Sequence, residues 1–266
     1  MKSDQWRPSK RTEREYSQIL RRVWEEFGDP VQVLNRIEFL VAYAKQAAAR
    51  MITGLYFQGA RTWREAARES GKTAIIYQAL QREMAGPVGK RVRELIQENA
   101  KLISSFPTNV QRRAVASGAA AHFQAGGRAE EFGEWLSGVA RSRAHLIART
   151  EISKALAALT QAHSEELGID WYVWETSKDQ RTRQSHKKMQ GVLIRFDDPP
   201  SPEALIGQHS TLGHYNAGQA PNCRCYAAPV IRFERLSWPH RVFVSGRIQF
   251  MTLAHFKLIN ERRAVA

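Results

Sequence analysis

The side chains that could do chemistry gather in two short stretches. Asp179-Gln-Arg-Thr-Arg-Gln-Ser-His186 packs an acid, two arginines, a hydroxyl and an imidazole into eight positions, and Asn222-Cys-Arg-Cys225 holds the only two cysteines of the chain. Three kinds of chemistry fit these types. In the first, Cys223, Cys225, His186 and one of Asp179, His209 or His214 give the tetrahedral sulfur-and-nitrogen set that zinc takes. One residue between the cysteines is fewer than the two to four of most zinc pairs, which weakens that reading. In the second, the same residues form a metal-free polar framework. Asp179 then pairs with Arg181, Arg183 or Arg149, Glu151 meets one of these arginines, and His186 bonds a loop carbonyl, because buried polar groups need partners. In the third, Asp179, His186 and Ser185, or a metal-bound water, make a hydrolytic site. Against it, Ser185 and His186 are adjacent, and no HExxH motif, glycine-rich phosphate loop or paired acidic metal cluster accompanies them. The framework is the favoured reading, with no cofactor beyond a possible zinc ion and no catalytic residue. The alternative is a metal-dependent, nuclease-like enzyme using Asp179, His186, Cys223 and Cys225.

The elements that would position these residues follow from periodicity. Tyr16, Ile19, Leu20, Val23, Trp24 and Phe27 lie on one helical stripe, ended by Gly28. Asp29-Pro30 restarts a helix, with a stripe through Leu34, Ile37, Val41, Ala44, Ala48 and Met51. Thr62-Trp-Arg-Glu65 matches a capping box and predicts a helix start. A helix through Ile76, Leu80 and Met84 is expected to stop at Gly86-Pro87. Another, through Val92, Leu95, Ile96, Leu102 and Ile103, is expected to close at Phe106-Pro107. Residues 107–130 read as a short helix and a hinge. Helical spacing returns through Phe132, Trp135, Ile152, Leu156 and Leu159, with His163 on the core face and Gly168 as terminator. Strands are expected at Trp171–Trp174, Gly191–Phe196 and Cys225–Ile231, where Pro229 marks an edge. A loop running into a short helix is expected over Asp179–Met189, and beyond Val242–Val244 a helix over Gln249–Arg263. The sum is an α+β chain: an α-helical bundle (1–128), a small mixed module (129–231) and a basic C-terminal extension (232–266).

Charge separates these parts. The net charge is +14 and the pI near 10.2, so a polyanion is the first partner to consider. Residues 1–169 carry 26 Lys and Arg against 18 Asp and Glu; residues 170–223 carry 6 of each; residues 224–266 carry 8 against 2. The motif-bearing segment is balanced, so nucleic-acid contact is expected from its neighbours. Arg232, Arg235, Arg241, Arg247, Lys257, Arg262 and Arg263, interleaved with aromatic residues, are the candidates. No apolar run reaches the ~20 residues of a membrane span. The N-terminal residues have no signal-like apolar core, so synthesis in the cytoplasm and no membrane partner are the expectation.

One further pattern is the order of the motifs. Arg149-Thr-Glu151, a tryptophan-bearing strand, Asp179-x-Arg181-x-Arg183-x-Ser185-His186, Gln190-Gly191, Asp197-Asp-Pro199 and Pro221-Asn-Cys-Arg-Cys225 occur in sequence. This set, spanning about residues 140–230, resembles the Mu F-like minor head (phage head morphogenesis) proteins of tailed bacteriophages. The resemblance implies a non-enzymatic minor capsid protein inside the virion head near the portal. Its expected partners are the portal or major capsid protein and double-stranded DNA bound without sequence preference, with a part in genome packaging or ejection.

Overall fold

The computed structural model describes residues 3–70, 85–116 and 129–265. The architecture is α+β, with long helices first and a mixed five-stranded sheet after them. By contact the chain divides into two compact units: Ser9–Tyr56 with Val92–Ile152, and Met1–Pro8 with Phe57–Arg91 and Ser153–Ala266.

The first unit is helical. Helix α1 (Lys10–Phe27) starts at Ser9, whose hydroxyl accepts from the Arg11 and Thr12 amides, and buries Tyr16, Leu20, Val23 and Phe27. Gly28 ends it, Asp29 caps the Val31 amide at 2.9 Å, and α2 (Pro30–Asn35) follows. Arg36 leaves helical geometry before α3 (Ile37–Ser70). That break resets the helical phase, so the stripe expected from Leu34 is displaced. Leu34 and Ile37 are exposed, and the buried face is Leu40, Ala44, Ala48, Met51 and Leu55. Helix α4 (Pro87–Ala116) begins at the proline expected to mark a stop, where a missing N–H costs nothing. It also runs through Pro107, where an end was expected. Ile103, Phe106 and Val110 are all buried around the proline. The Ser104 and Ser105 hydroxyls meanwhile donate to the Lys101 and Leu102 carbonyls. Core packing outweighs a local penalty of about 3 kcal/mol. Helix α5 (Ala129–Glu166) stacks Ala140, Ala144 and Ala148 on one buried edge. Tyr16 donates to Asn99 Oδ1 at 2.9 Å inside this unit. The helix expected through Ile76, Leu80 and Met84 lies outside the described residues, as do residues 117–128 of the expected hinge.

In the second unit the Thr62 capping box is overturned. Thr62 lies inside α3, its hydroxyl 3.1 Å from the Gln58 carbonyl one turn back. The helix continues because Ala60, Trp63, Ala66 and Ala67 bury themselves there, with Trp6 edge-on to Trp63 at 4.8 Å. His163 is buried, its Nδ1 2.6 Å from the Leu159 carbonyl. Gly168, at φ +63°, turns the chain out of α5.

The sheet order is β3-β1-β2-β4-β5, with β1 (Trp171–Glu175), β2 (Leu193–Arg195), β3 (Tyr226–Pro229), β4 (His240–Val244) and β5 (Arg247–Met251). Only the β2–β4 pairing, at Leu193 and Val242, is parallel. Pro229 sits on the edge strand β3, as expected. The expected helix over Gln249–Arg263 is corrected: β5 runs to Met251, and helix α7 (Leu253–Val265) starts after it. Ser245 and Gly246 both have positive φ, the mark of a tight hairpin turn, and bring Arg247–Met251 back along β4. Residues 232–266 thus complete the sheet. On one sheet face Trp171, Val173, Leu193, Val242 and Val244 meet Phe256 of α7. The other face, with Tyr172, Trp174, Ile194 and Phe243, is covered by the long loop after β2 and by the short helix α6 (Gln184–Met189). At the far end of the chain the Tyr226 hydroxyl donates to Asp4 at 2.9 Å.

Candidate functional site

On this loop-covered face the chemistry-bearing residues converge. Helix α6 turns Ser185, His186 and Met189 inward and leaves Gln184, Lys187 and Lys188 in solvent. The loop returns Cys223 and Cys225 just before β3. Side chains two residues apart on extended chain share a face, so both sulfurs reach the same imidazole. His186 Nδ1 lies 3.5 Å from Cys223 Sγ and 3.3 Å from Cys225 Sγ. All three residues are only 2–3% exposed.

The other imidazole nitrogen starts a relay. Nε2 is 2.9 Å from the Tyr215 hydroxyl, which lies 2.9 and 2.8 Å from the two oxygens of buried Glu203. Ser185 also donates to Glu203, at 3.1 Å. Burial and the neighbouring Glu203 push the Tyr215 phenol well above its ordinary range, so its proton stays on oxygen and points at the carboxylate. Tyr215 therefore accepts from His186, which places a ring proton on Nε2 and makes Nδ1 the nitrogen that faces the sulfurs.

The two thiols are unequal. Cys223 is held well below the ordinary thiol range, chiefly by the hydrogen bond from Cys225. Burial opposes this, and His186 and the Cys225 amide at 3.3 Å reinforce it. Cys225 is pushed up, first by Cys223 and then by burial. Trp174 seals the group, its ring edge-on to His186 at 5.6 Å and its buried indole N–H acting on Cys225, where it partly offsets the upward push.

Asp179 belongs to a different structure. It takes the Arg224 guanidinium in a two-pronged ion pair, at 2.5 and 2.9 Å, and accepts from the Arg181 amide at 3.0 Å and the Thr182 hydroxyl at 3.3 Å. It is not among the residues whose donor atoms converge at His186. Arg183 holds the Pro221 carbonyl at 2.9 Å, tying α6 to the cysteine loop. Arg181 is exposed and contributes its backbone. Arg149 and Glu151 belong to the other unit, where Arg149 Nε lies 3.9 Å from Glu13. His209 and His214 are exposed, and His214 Nδ1 is 2.9 Å from the Pro199 carbonyl. So Arg224, Tyr215 and Glu203, absent from the expected set, are the partners of Asp179 and His186.

A comparison with known families places these motifs. The model of the family described as "Phage Mu protein F like protein" matches residues 89–228, more than half of the chain. The chain belongs to the phage Mu protein F-like family. The matched range holds nearly all of α4, the whole of α5, β1 and β2, most of β3 and every member of the His186 cluster. A curated protein of Haemophilus influenzae, named only as uncharacterized, is 39% identical over 89 residues. That match covers 34% of this chain and 17% of the relative, so the chain corresponds to a minor part of that protein. No solved structure matches. Among the described residues no helix is long and apolar enough to cross a membrane.

Among the candidate nucleic-acid contacts, Arg232, Arg235 and Arg247 are exposed. Arg241 is half-buried and donates to the Lys188 and Gln190 carbonyls, tying down the end of α6 at 3.2 Å or less. Lys257 pairs with Glu234 at 2.9 Å. The side chains of Arg262 and Arg263 lie outside the described residues. The relay acid Glu203 left one signal in the sequence: it is the lone acid in the stretch between Asp198 and Glu234.

Proposed function

We propose that this chain is a minor head protein of a tailed bacteriophage, held at the portal end of the capsid interior in contact with packaged DNA. In this reading it acts in head assembly and in genome packaging or ejection, and it catalyses no reaction. Membership of the phage Mu protein F-like family carries the proposal. The buried state of the motif supports its non-enzymatic half. Ser185, His186, Cys223 and Cys225 are all shut away from solvent, Ser185 is engaged by Glu203, and both nitrogens of His186 are occupied. A phosphodiester could not reach them without opening the loop. Partner binding then falls to the basic surface, where a net charge of +14 suits a dense polyanion.

Two measurements test this. Binding to double-stranded DNA should fall steeply with salt and show little sequence preference. The triple variant Arg232→Ala, Arg235→Ala, Arg247→Ala should lower affinity for all sequences alike and reduce the slope of log K against log salt by about 3, one per lost phosphate contact. An unchanged slope would remove these arginines from the interface. Localisation of the chain in whole virions by reconstruction without imposed symmetry should place it at the portal vertex; density elsewhere would refute the portal assignment. DNA cleavage by the purified protein, abolished in His186→Ala, would replace the proposal with the nuclease-like alternative.

A further inference from the structure

The geometry points to a structural zinc site formed by Cys223 Sγ, Cys225 Sγ and His186 Nδ1, and we propose that this ion staples the cysteine loop to helix α6. The inference is independent of the head-protein reading, since it rests on donor atoms alone.

Distances carry it first. Zinc bonds thiolate sulfur at about 2.3 Å and imidazole nitrogen at about 2.0–2.1 Å, so at a tetrahedral angle the two donors stand about 3.6 Å apart. The observed separations are 3.3 and 3.5 Å, and all three donor atoms lie within 4.8 Å of one another. For each nitrogen–sulfur pair a shared ion needs only a few tenths of an ångström of adjustment. Tautomer comes second. The Tyr215–Glu203 relay holds a proton on Nε2 and leaves Nδ1 as the nitrogen that faces the sulfurs. A metal-bound histidine that donates its other N–H toward a carboxylate is the usual outer arrangement of zinc sites, here extended by one tyrosine. Third is the indole: the buried Trp174 N–H has no nitrogen or oxygen acceptor and bears on Cys225, whose charged form it favours, and a metal thiolate is the charge-rich acceptor such a donor suits.

Neither Asp179 nor the two exposed histidines, His209 and His214, completes the set, and no fourth Cys, His, Asp or Glu joins the group among the described residues. The fourth position is left to water. Because the donors are buried under Trp174 and Tyr215, the role is to fix the fold. The ion would pin the loop between β2 and β3, which has no sheet of its own, through its last residues.

The test uses the full chain, expressed with zinc available and purified under reducing conditions without chelator. Elemental analysis should find about one zinc per chain, retained in Asp179→Asn and lost in Cys223→Ser with Cys225→Ser. Tyr215→Phe keeps the ring packing but breaks the relay; in competition against a zinc-binding dye it should weaken retention about 10–100-fold. A second readout needs no variant. Both thiols should resist a thiol reagent until a strong chelator is added, and chelation should lower the melting temperature. Three results would each overturn the proposal: less than about a tenth of a zinc per chain with a melting temperature unmoved by chelator, undiminished zinc in the double cysteine variant, or loss of zinc in Asp179→Asn.

Discussion

Gly218 sits where the long loop crosses helix α5, and replacing it with alanine should cost far more than a methyl group suggests. Its φ of +91° lies in the region that side chains avoid, so any β-carbon there costs about 1–2 kcal/mol of backbone strain. The added methyl would also stand 3.1 Å from the Cys225 carbonyl, 3.2 Å from the Ser153 carbonyl and 3.3 Å from Ala157 Cβ. Two of these neighbours are backbone and cannot rotate away. Overpacking of this kind costs a further 1–3 kcal/mol or so, giving a total of about 2–5 kcal/mol. Gly207 provides the control: at φ +74° it is strained in the same sense, but its β-carbon would meet nothing within 4 Å. Gly207→Ala should therefore cost only the backbone part, about 1–2 kcal/mol. Urea unfolding followed by tryptophan fluorescence measures both, since Trp171 and Trp174 lie in the affected unit. If the two variants lose the same stability, the close approach of loop to helix is wrong and the reasoning fails with it.

Other outcomes follow from single contacts. Phe256→Ala empties a fully buried site against Trp171, Phe233 and Trp238, at ring separations of 5.0, 4.7 and 5.3 Å. It should destabilise by about 3–5 kcal/mol by denaturant titration. Deleting the chain after Ile231 removes β4, β5 and α7 and bares the Trp171 face, so the product should bind a hydrophobic dye and aggregate. A stable, dye-negative fragment would contradict the sheet order. Asp179→Asn breaks the pair with Arg224 and should cost about 1–2 kcal/mol at neutral pH, moderated by the partial exposure of both side chains. For Asp179 burial acts to raise the carboxyl pKa, but the Ser177 hydroxyl, the Arg224 charge, the Arg181 amide and the Thr182 hydroxyl outweigh it and lower it. A depressed carboxyl stabilises the fold above its unfolded value of about 4 and loses that contribution as pH falls below it. The gap between wild type and variant should accordingly close as unfolding is repeated from pH 7 down to pH 3.

Much of the fold was legible because the signals were local and agreed with the packing. Gly28, Asp29 and Gly168 act where helix chemistry says they should, and the aromatic run at Trp171 is a strand. The failures share one cause. Thr62-x-x-Glu65 and Phe106-Pro107 are genuine boundary signals in isolation, yet Trp63 and Phe106 bury enough surface to keep α3 and α4 running through them. The hairpin at Ser245-Gly246 hid behind a helical spacing of Phe250, Leu253 and Leu258, and only pairing with β4 decides the matter. At the site, the order of motifs led to the family, and donor types alone raised the zinc alternative that groups His186 with both cysteines. The loop carbonyl expected for His186 is replaced by the Tyr215 hydroxyl. Motif order could not reveal that Asp179 would turn to Arg224, or that Tyr215 and Glu203 would arrive behind the imidazole. Those partners come from a loop without periodicity, whose path depends on what it covers.

Asp4 bonded to Tyr226 has a bearing on how the chain is made. The unit that holds the sheet takes strands from the last third of the sequence and a contact from the first four residues. On a ribosome the opening segment must wait, unsatisfied, until more than two hundred further residues have emerged. The helical unit, whose segments end at Ile152, can condense well before that. Assembly order is therefore written into the topology: the helices first, the buried His186 cluster later, and the closing of the sheet by β4 and β5 after that.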